Sequence, residues 1–449
     1  MNAVPRRRQR FSPGPGKAAA RRAAPFLAFL AAAFPGRSGA RAAGVPGNPS
    51  TGPGSPVNVR RLGAKGDGKT DDTAAFLAAV ARAGKEHGRV VVPPGAYVIS
   101  KPIRIERLGL SAAGANLRAW PADADVMPAI IPKHRDAPAF ILGAGAALAG
   151  LDITYHWRRE PTTGPAAVTV AGVGVYIHNL RIRYAWNGIV TDGRHNAGRL
   201  NIADVFMVAI RNIGVRVTGT WDVPRLANVE VWNAGITKHA IEHGIGFLLG
   251  KNDLIRMSDC FAFGMRYGFL FQEKLPDCKI QGKTWGVLHG CATDFCVQGL
   301  VVHGDHTLSI AGGSFWDHQE SLVVDGANAR VRVAGSELKS NGASAIVVRR
   351  ADQVAVNGCT ILRTMAAFTA PAVHLEGGNT VLAGNQISCN RPAVVVDKTD
   401  ACAVITGNLI RSPGPGIVSG GGRDTVLVRD NLLRPLPPPP ASRKSGAKK

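Results

Sequence analysis

The sequence predicts an all-β solenoid, namely a single-stranded right-handed parallel β-helix with an N-terminal capping helix. Three observations predict this fold. A short strand formula returns along the chain, its copies are spaced by roughly twenty to thirty residues, and a segment of helical character precedes them. At 449 residues the chain also exceeds the length at which one compact core usually stops growing, which favours a repeat architecture.

The strand formula is a small residue, then apolar residues at alternate positions, then glycine or a polar turn. Examples are GVRVTG, GFLFQE, GLVVHG and AVHLEG, which begin at residues 214, 268, 299 and 372. Alternation with a period of two indicates strands rather than helices. Three short strands and three turns per repeat fit a β-helix, whose coils stack about 4.8 Å apart. Asn385 and Asn408, in Gly-Asn turns, are expected to adopt the left-handed backbone of a tight corner.

The stretch GAKGDGKTDDT, residues 63–73, combines three acidic side chains with three glycines. It raises the choice between a metal loop, an active site and an architectural element. We interpret it as a turn that leads into a helix near residues 71–83, with Thr70, Asp71 and Asp72 at the start, where side-chain oxygens cap free N–H groups. A cation held by Asp67, Asp71 and Asp72 is the alternative, but no further carboxylate stands at ligand spacing.

The predicted helix has one apolar face, marked by Phe76 and Val80, and Gly84 stands where it would end. The first coil of a β-helix exposes unpaired backbone groups that attract other strands. We therefore interpret the helix as a lid on the open end of the stack.

The segment GAKGDGKTDDTAAF, followed by GRVVVPPGAYVI, resembles the start of the pectate-lyase-like domain of rhamnogalacturonases, epimerase-like proteins and phage tailspikes. The repeats extend this resemblance over residues 57–433, which we assign to a single β-helix domain. In such proteins the opening motif is structural. The resemblance therefore implies the fold and assigns no catalytic role to residues 63–73.

Residues 1–42 are interpreted as an export signal. Arg21 and Arg22 precede the short apolar run PFLAFLAAAF, and Ala40-Arg41-Ala42 offers a small-x-small cleavage site. The run is too short to span a bilayer, and no other stretch is long and apolar enough for a membrane helix. We expect a secreted or periplasmic protein, with twin-arginine export as one route and an unprocessed Ala/Arg leader as the alternative.

The formal charge of +23 is concentrated at the chain ends. Nine Lys or Arg and no acid lie in residues 1–45, and five more lie in the predicted basic tail, residues 434–449, so that the remainder carries +9. The part of the chain between the two ends is therefore only mildly basic, and its charge does not predict nucleic-acid binding. Residues 43–56, rich in Pro and Gly, are predicted to be a linker.

The seven cysteines form no CxxC pair and show no zinc spacing, so that no metal site is predicted from them. Most are expected to be buried and unreactive. Cys291 and Cys296 are candidates for a disulfide if the protein is exported. No cofactor is expected, and calcium is supported by no motif.

The last outward position of each formula strand is expected to form a column on one face. It reads Asp192, Thr218, Gly250, Gln272, His303, Asp325, Arg349, Glu376 and Asp397. Neighbours lie within about 5 Å on adjacent coils and about 10 Å two coils apart, a spacing that suits a saccharide-binding strip. This spacing also allows two carboxylates of the column to stand at the distances found in either retaining or inverting glycosidases. The alternative is a solvated face of charge pairs, such as Asp325 beside Arg349.

The coils that begin at Gly214 and Gly268 are the longest, and extra residues in such loops often form the wall of a groove. Tryptophans stack on sugar rings and cations hold uronate carboxylates, a combination that suits an acidic polysaccharide. The predicted substrate-binding residues are Arg216, Trp221, Trp232, Lys274, Trp285, Asp325 and Arg349.

Two mechanisms remain open. A hydrolase needs a protonated acid and a base or nucleophile, for which Glu242, Asp294 and Asp305 are candidates. A lyase or epimerase abstracts the proton beside a carboxylate, with His303 or His306 as the base and a Lys or Arg to stabilise the enolate. The predicted function is action on an acidic polysaccharide by glycosidic hydrolysis or β-elimination. The alternative is a non-catalytic polysaccharide-binding or envelope-structural solenoid.

Overall fold

The computed structural model describes residues 54–112, 128–156, 163–233, 237–363, 369–420 and 425–436. The predicted export signal, most of the linker and most of the basic tail lie outside these residues. The described residues belong to one compact unit, Ser50–Lys449. They form a parallel β-solenoid of about 14 turns, here called coils.

The strands form three parallel ladders, A, B and C. The first two coils contribute to ladders B and C only, and from Ile103 onward the chain visits A, B and C in that order. Ladder A contains Ile103–Ile105, Phe140–Leu142, Ala166–Val170, Asn187–Thr191, Ile213–Val217, Ile245–Leu249, Tyr267–Gln272, Gln298–His303, Leu322–Asp325, Ile346–Arg350, the first parts of Val373–Ala383 and Val394–Thr406, and Ile417–Ser419.

Ladders B and C share three long strands that bend at the corner between them, Tyr176–Arg183, Asn201–Val208 and Arg225–Trp232. Ladder B also contains Val57–Asn58, Val90–Val92, Gly109–Ala112, Ala147–Ala149, Asn252–Ser258, Thr284–His289, Thr307–Ala311, Arg330–Ala334, Gln353–Asn357, the second parts of Val373–Ala383 and Val394–Thr406, and Val426–Arg429. Ladder C also contains Asp67–Asp71, Gly95–Ile99, Pro128–Pro132, Asp152–Thr154, Phe261–Phe263, Ala292–Cys296, Ser314–Asp317, Glu337–Ser340, Thr360–Arg363, Gln386–Cys389, Leu409–Ser412 and Leu432–Pro435.

The interior is filled by the alternate apolar residues of all three ladders. Equivalent side chains stack from coil to coil, as Phe247 and Phe269 do with ring centroids 4.7 Å apart and planes within 7°. Both rings are fully buried. The period-two pattern therefore marks the inward positions, because successive side chains of a strand point to opposite faces.

The corner between ladders B and C is a one-residue turn with a left-handed backbone. Glycine, asparagine or aspartate occupies it, as expected for residues that tolerate positive φ. The turn residues are Gly150, Asn179, Asp204, Asn228, Asp259, Gly290, Gly312, Gly335, Gly358, Gly384, Gly407 and Asp430. The expectation that Asn385 and Asn408 adopt this backbone is wrong. The preceding glycines, at φ of 64° and 65°, make the turn, and both asparagine side chains point into the core.

The capping helix is present as α1, Thr73–Lys85, and begins two residues later than predicted. Its buried face contains Phe76, Ala79 and Ala83. Gly84 does not end the helix, which continues to Lys85. A short second helix, α2, spans Lys238–His243, and a 3-10 turn spans Val59–Leu62. Neither helix is of a length or apolar character that would allow it to cross a membrane, within the residues described.

The three acids of the opening stretch accept hydrogen bonds from nearby groups. Asp67 Oδ1 accepts from the N–H groups of Lys69 and Thr70, which lowers the pKa of Asp67 to about 2. Asp71 Oδ1 accepts from Thr73 N–H at 3.0 Å, at the start of α1. Asp72 makes no such cap: its carboxylate accepts from two N–H groups of the preceding turn instead. These bonds make the stretch architectural.

All seven cysteines are free, and only Cys402 is exposed. The proposed bridge between Cys291 and Cys296 is wrong, because the strand Ala292–Cys296 runs between the two residues. Five residues of extended chain cover ~16 Å, whereas a disulfide needs Cα atoms within about 7 Å.

Candidate functional site

The outward face of ladder A carries a run of arginine, histidine and acidic side chains on five consecutive coils. We call this run the ladder A strip: His303, Asp325, Arg349, Arg350, His374, Glu376 and Asp397. Each of these side chains is at least partly solvent-exposed. Parallel pairing sets their spacing, since His303 and Asp325 are direct partners on adjacent strands and therefore about 4.8 Å apart at their Cα atoms.

The charges of the strip are paired along the solenoid axis. Asp325 Oδ1 accepts from Arg350 Nε at 2.7 Å, and Arg349 Nε lies 3.6 Å from Glu376 Oε2. The predicted pairing of Asp325 with Arg349 is wrong, because a register shift after Val324 places Arg350 opposite Asp325. These pairs are largely exposed, so that each contributes little to stability by itself.

His374 lies between two carboxylates of the strip. Its Nε2 is 3.1 Å from Asp397 Oδ1, and its Nδ1 is 3.6 Å from Glu376 Oε1. One imidazole therefore separates two carboxylates on neighbouring coils. Such a separation is on the order of the 6.5–9.5 Å at which inverting glycosidases place their acid and base around a water molecule.

His303 lies at the first end of the strip. Partial burial lowers the pKa of His303; the Asp325 carboxylate raises it and the positive charge of Arg349 lowers it, with the net shift downward. The imidazole is therefore neutral at neutral pH. A neutral imidazole with a guanidinium nearby is able to accept a proton or a hydrogen bond from a bound ligand.

The strip is open only on the later coils of ladder A. The loop of residues 273–283 folds back over earlier coils, and Lys279 N–H donates to Gly193 O at 2.9 Å. Leu275 of this loop shares an apolar cluster with Leu248, which points outward from ladder A. The loop thus covers this part of the ladder instead of standing beside it as the wall of a groove.

Two members of the predicted column, Thr218 and Gly250, are not on the surface. Both are buried beneath the loop of residues 273–283, where Thr218 Oγ1 donates to Ile280 O at 3.4 Å and Leu275 lies against Gly250. Arg216 and Lys274 lie at the same end of ladder A. Arg216 is half-buried, with Nη2 donating to Thr191 O, and Lys274 is exposed at the start of the covering loop.

The five predicted catalytic residues do not form one cluster. Only His303 belongs to the ladder A strip. Asp305 is at the corner between ladders A and B, where its carboxylate accepts from Asn328 N–H at 2.9 Å and from Asn328 Nδ2 at 2.8 Å. Glu242 is exposed on α2 beside Lys238, at 3.7 Å, and Asp294 is on ladder C.

His306 is fully buried at the corner between ladders A and B. Its Nδ1 accepts from Thr284 N–H at 2.8 Å, and its Nε2 lies 3.0 Å from His303 O, to which it donates. Both ring nitrogens are therefore used within the corner. Burial is the main cause that lowers the pKa of His306 to about 4.

This buried imidazole predicts a pH dependence of stability. The folded-state pKa of about 4 lies below the ordinary value near 6.5, so that the unfolded chain binds the proton more tightly. The contribution of His306 is complete above pH ~6.5 and is lost as the pH falls toward 4, with a total on the order of 3 kcal/mol. Urea unfolding of the wild type and of His306→Gln from pH 4 to 8 measures it.

The variant is expected to lose most of this slope, whereas His289→Gln, at an exposed position, is expected to keep it. Equal slopes in the wild type and in His306→Gln would show that the corner imidazole is not the titrating group.

The three tryptophans predicted to bind substrate lie on two ladders. Trp232 is on ladder C, stacked with Phe206 at 6.2 Å and tilted against Phe263 at 6.4 Å. Trp221 and Trp285 are both at the start of ladder B and are exposed. None of them borders the ladder A strip.

Sequence reasoning missed His374 and Arg350. Alternation within AVHLEG places His374 on the same face as Glu376, two residues later, which is a signal that could have found it. The position of Arg350 opposite Asp325 results from the register shift after Val324, and no sequence pattern indicates that shift. Within the described ranges, no group of three or more His, Cys, Asp or Glu side chains is arranged to hold a metal ion.

Two family models match parts of the chain. Residues 56–116 match the model described as rhamnogalacturonase A/epimerase, pectate lyase-like, and residues 277–433 match the model of a right-handed β-helix region. The fold of the chain is a right-handed parallel β-helix. This confirms the predicted fold class and the resemblance. No curated protein matches this chain in sequence.

Solved structures share the fold at low identity. The A-module of the mannuronan C-5 epimerase AlgE6 from Azotobacter vinelandii is 18% identical, with a TM-score of 0.52 over 85% of this chain and 100% of that chain. The catalytic unit of an α-1,3-glucanase from Streptomyces thermodiastaticus is 15% identical, with a TM-score of 0.56 over 85% and 72%. The tailspike of E. coli bacteriophage HK620, in complex with a pentasaccharide, is 10% identical, with a TM-score of 0.57 over 84% and 80%.

Proposed function

We propose that the protein binds an extended acidic polysaccharide along the ladder A strip. The observation that carries the proposal is the register of the strip, which places at least one polar side chain on every coil, about 4.8 Å apart, and includes both arginines and acids. A polymer of sugar rings laid along the axis would meet a new donor or acceptor at each coil. The guanidinium groups of Arg349 and Arg350 suit carboxylates, and the acids of the strip suit hydroxyl groups.

Two further considerations support this function. The three similar structures are, by their names, a polysaccharide epimerase, a glucanase and a tailspike with bound pentasaccharide, although at these identities the likeness itself extends only to the fold. An export signal at residues 1–42, which the sequence predicts, would bring the protein into contact with extracellular polymers.

A second candidate function is chemical action on the bound polymer, and one observation favours it. His374 with Glu376 and Asp397 places an imidazole between two carboxylates, an arrangement that supports acid–base chemistry in hydrolysis. For β-elimination, neutral His303 would act as the base and Arg349 would stabilise the enolate. Against it stands the pairing of Asp325 with Arg350 and of Glu376 with Arg349, which suits a binding surface.

The binding proposal predicts the effect of Arg349→Gln combined with His374→Gln. Loss of a hydrogen-bonding group at two adjacent coils is expected to weaken binding of polygalacturonate or alginate by about 10- to 100-fold, because hydrogen bonds to the charged carboxylates of the polymer contribute about 1.5–3 kcal/mol each. Affinity electrophoresis at fixed ionic strength measures the change. The matched control is Arg82→Gln, an exposed arginine on α1 that also forms an ion pair.

An equal affinity of the double variant and the wild type for every acidic polymer would contradict the proposal. The same polymers, assayed for new reducing ends and for absorbance of unsaturated uronates, test the second candidate. Products from the wild type but not from Asp397→Asn would support hydrolysis or elimination at the strip, whereas binding without products would exclude the second candidate.

A further inference from the structure

A stack of buried polar side chains fixes the register of three coils at the start of ladder B. Thr220 Oγ1 donates to Asn252 Oδ1 at 3.0 Å, and Asn252 Nδ2 donates to Thr284 Oγ1 at 3.1 Å. The three residues are also paired through the backbone from coil to coil. The residues that directly follow Thr220, Asn252 and Thr284 in the sequence therefore occupy equivalent positions on the surface. They are Trp221, Asp253 and Trp285.

Trp221 and Trp285 thus lie two coils apart, which corresponds to ~10 Å along the axis. They are 50% and 52% exposed. Neither ring contacts another aromatic ring of the described chain, in contrast to Trp232 on ladder C, which is stacked with Phe206. Exposed apolar side chains that are grouped, unlike singly scattered ones, mark interaction sites, and aromatic rings with one polar atom are common there.

Positive charge surrounds the two rings. Arg225 and Arg256 are direct partners on adjacent strands of ladder B, and both are exposed. Like charges opposite each other in a sheet are destabilising, and neither guanidinium forms an ion pair with any carboxylate of the described chain. Lys251 Nζ lies 5.3 Å from the centre of the Trp221 ring.

The nearby acids do not neutralise this charge. Asp222 is already paired with Arg199, at 2.5 Å. Asp253, between the two tryptophans, is half-buried and forms no ion pair with a described residue. The surface therefore keeps a net positive charge beside its two aromatic faces.

We propose that Trp221, Arg225, Lys251, Arg256 and Trp285 form a second polysaccharide site, here called the tryptophan platform, for an acidic glycan that lies along the solenoid axis. The ring faces would take the C–H faces of two sugars, ~10 Å and thus about two pyranose units apart. The arginines would pair with carboxylates of the same chain. The platform is on ladder B, so that it does not depend on the ladder A strip.

The experiment compares Trp221→Ala, Trp285→Ala and the double variant with Trp316→Ala. Trp316 is a matched control, because it is 41% exposed on ladder C with Lys339 over its ring. Affinity electrophoresis in polygalacturonate, alginate and neutral dextran gives the dissociation constants. Each platform variant is expected to lose about 5-fold, and the double variant about 25-fold, because sites ~10 Å apart act nearly additively.

Two further variants separate the ring and charge contributions. Trp221→Phe combined with Trp285→Phe keeps aromatic faces and is expected to retain most of the affinity. Arg225→Gln combined with Arg256→Gln is expected to make binding to the acidic polymers less dependent on salt. Thermal unfolding of each variant shows whether the fold is unchanged, as expected for exposed side chains.

Three results would overturn the proposal. The first is that the wild type binds no acidic polymer. The second is that the double tryptophan variant binds as tightly as Trp316→Ala does. The third is that the protein binds dextran as well as it binds the acidic polymers. The Arg349→Gln, His374→Gln variant on the same gels distinguishes the two sites. If only that variant loses affinity, the ladder A strip is the binding site and the platform is not.

Discussion

Replacement of Phe76 by alanine is expected to lower the free energy of unfolding by about 3–5 kcal/mol, the usual cost of removing a fully buried phenylalanine. Phe76 is the main contact of α1 with the first coils. Its ring packs edge-on against Tyr97 at 5.5 Å, and both side chains are fully buried. The alanine variant would leave a cavity between the helix and the coil that it covers. Equilibrium unfolding in guanidinium chloride measures the loss.

Leu77→Ala is the matched control, because the next residue of the same helix is 41% exposed. It is expected to cost less than about 1 kcal/mol. The Phe76 variant should also self-associate more readily, since loosening of α1 exposes unpaired strand edges of the first coil. Light scattering detects this. Equal destabilisation by both substitutions would mean that α1 does not act as a lid.

The capping helix and the solenoid were predictable because local sequence determines them. The period-two pattern records which side chains face the core, and this holds in every coil regardless of what lies between the strands. The acids of the opening stretch were predictable as architecture for a similar reason: Asp67 and Asp71 accept from N–H groups at most three residues away. Asp72 and Thr70 departed from the prediction: the Asp72 carboxylate accepts from N–H groups of the turn before the helix, and the Thr70 hydroxyl donates to Asp67 Oδ2.

The candidate site was predictable only in part: strand alternation placed five of its members in one column, His303, Asp325, Arg349, Glu376 and Asp397, whereas the residues near the corners were misplaced. His303 and His306 are three residues apart, yet one lies on the surface and the other is buried. The chain turns from ladder A to ladder B between them, and the sequence VHGDH does not show where the turn occurs. The register shift that exchanges Arg349 for Arg350 opposite Asp325 is likewise a three-dimensional effect.

The equivalent positions of the two exposed tryptophans were also not predictable from the sequence. Trp221 and Trp285 are separated by two coils of 32 residues each, a length that the neighbouring coils do not share, since Trp285 is paired with Thr307 and Asn201 with Arg225. Their equivalence follows from the buried stack of Thr220, Asn252 and Thr284, which only coordinates reveal.

Removal of the Asn408 side chain is expected to cost about 3–4 kcal/mol. Its Oδ1 accepts from Asn385 N–H at 2.9 Å and from Asn385 Nδ2 at 3.0 Å, and its Nδ2 donates to Leu382 O at 3.0 Å and Asn431 Oδ1 at 2.8 Å. Asn408→Ala would leave buried donors and acceptors on two coils without partners, at about 1–3 kcal/mol for each such group. Urea unfolding measures the loss, and Asn357→Ala, at an exposed position on ladder B, is the control with little expected effect.

The variant Asn408→Gly distinguishes two explanations for the asparagine at this corner, namely its backbone conformation and its side-chain hydrogen bonds. If Asn408 served the turn through a left-handed backbone, Asn408→Gly would be harmless or stabilising, because glycine adopts positive φ without strain. The backbone of the turn belongs to Gly407 instead, at φ of 65°. We therefore expect Asn408→Gly to be at least as destabilising as Asn408→Ala, because both remove the hydrogen bonds that join Asn385, Asn408 and Asn431 across three coils.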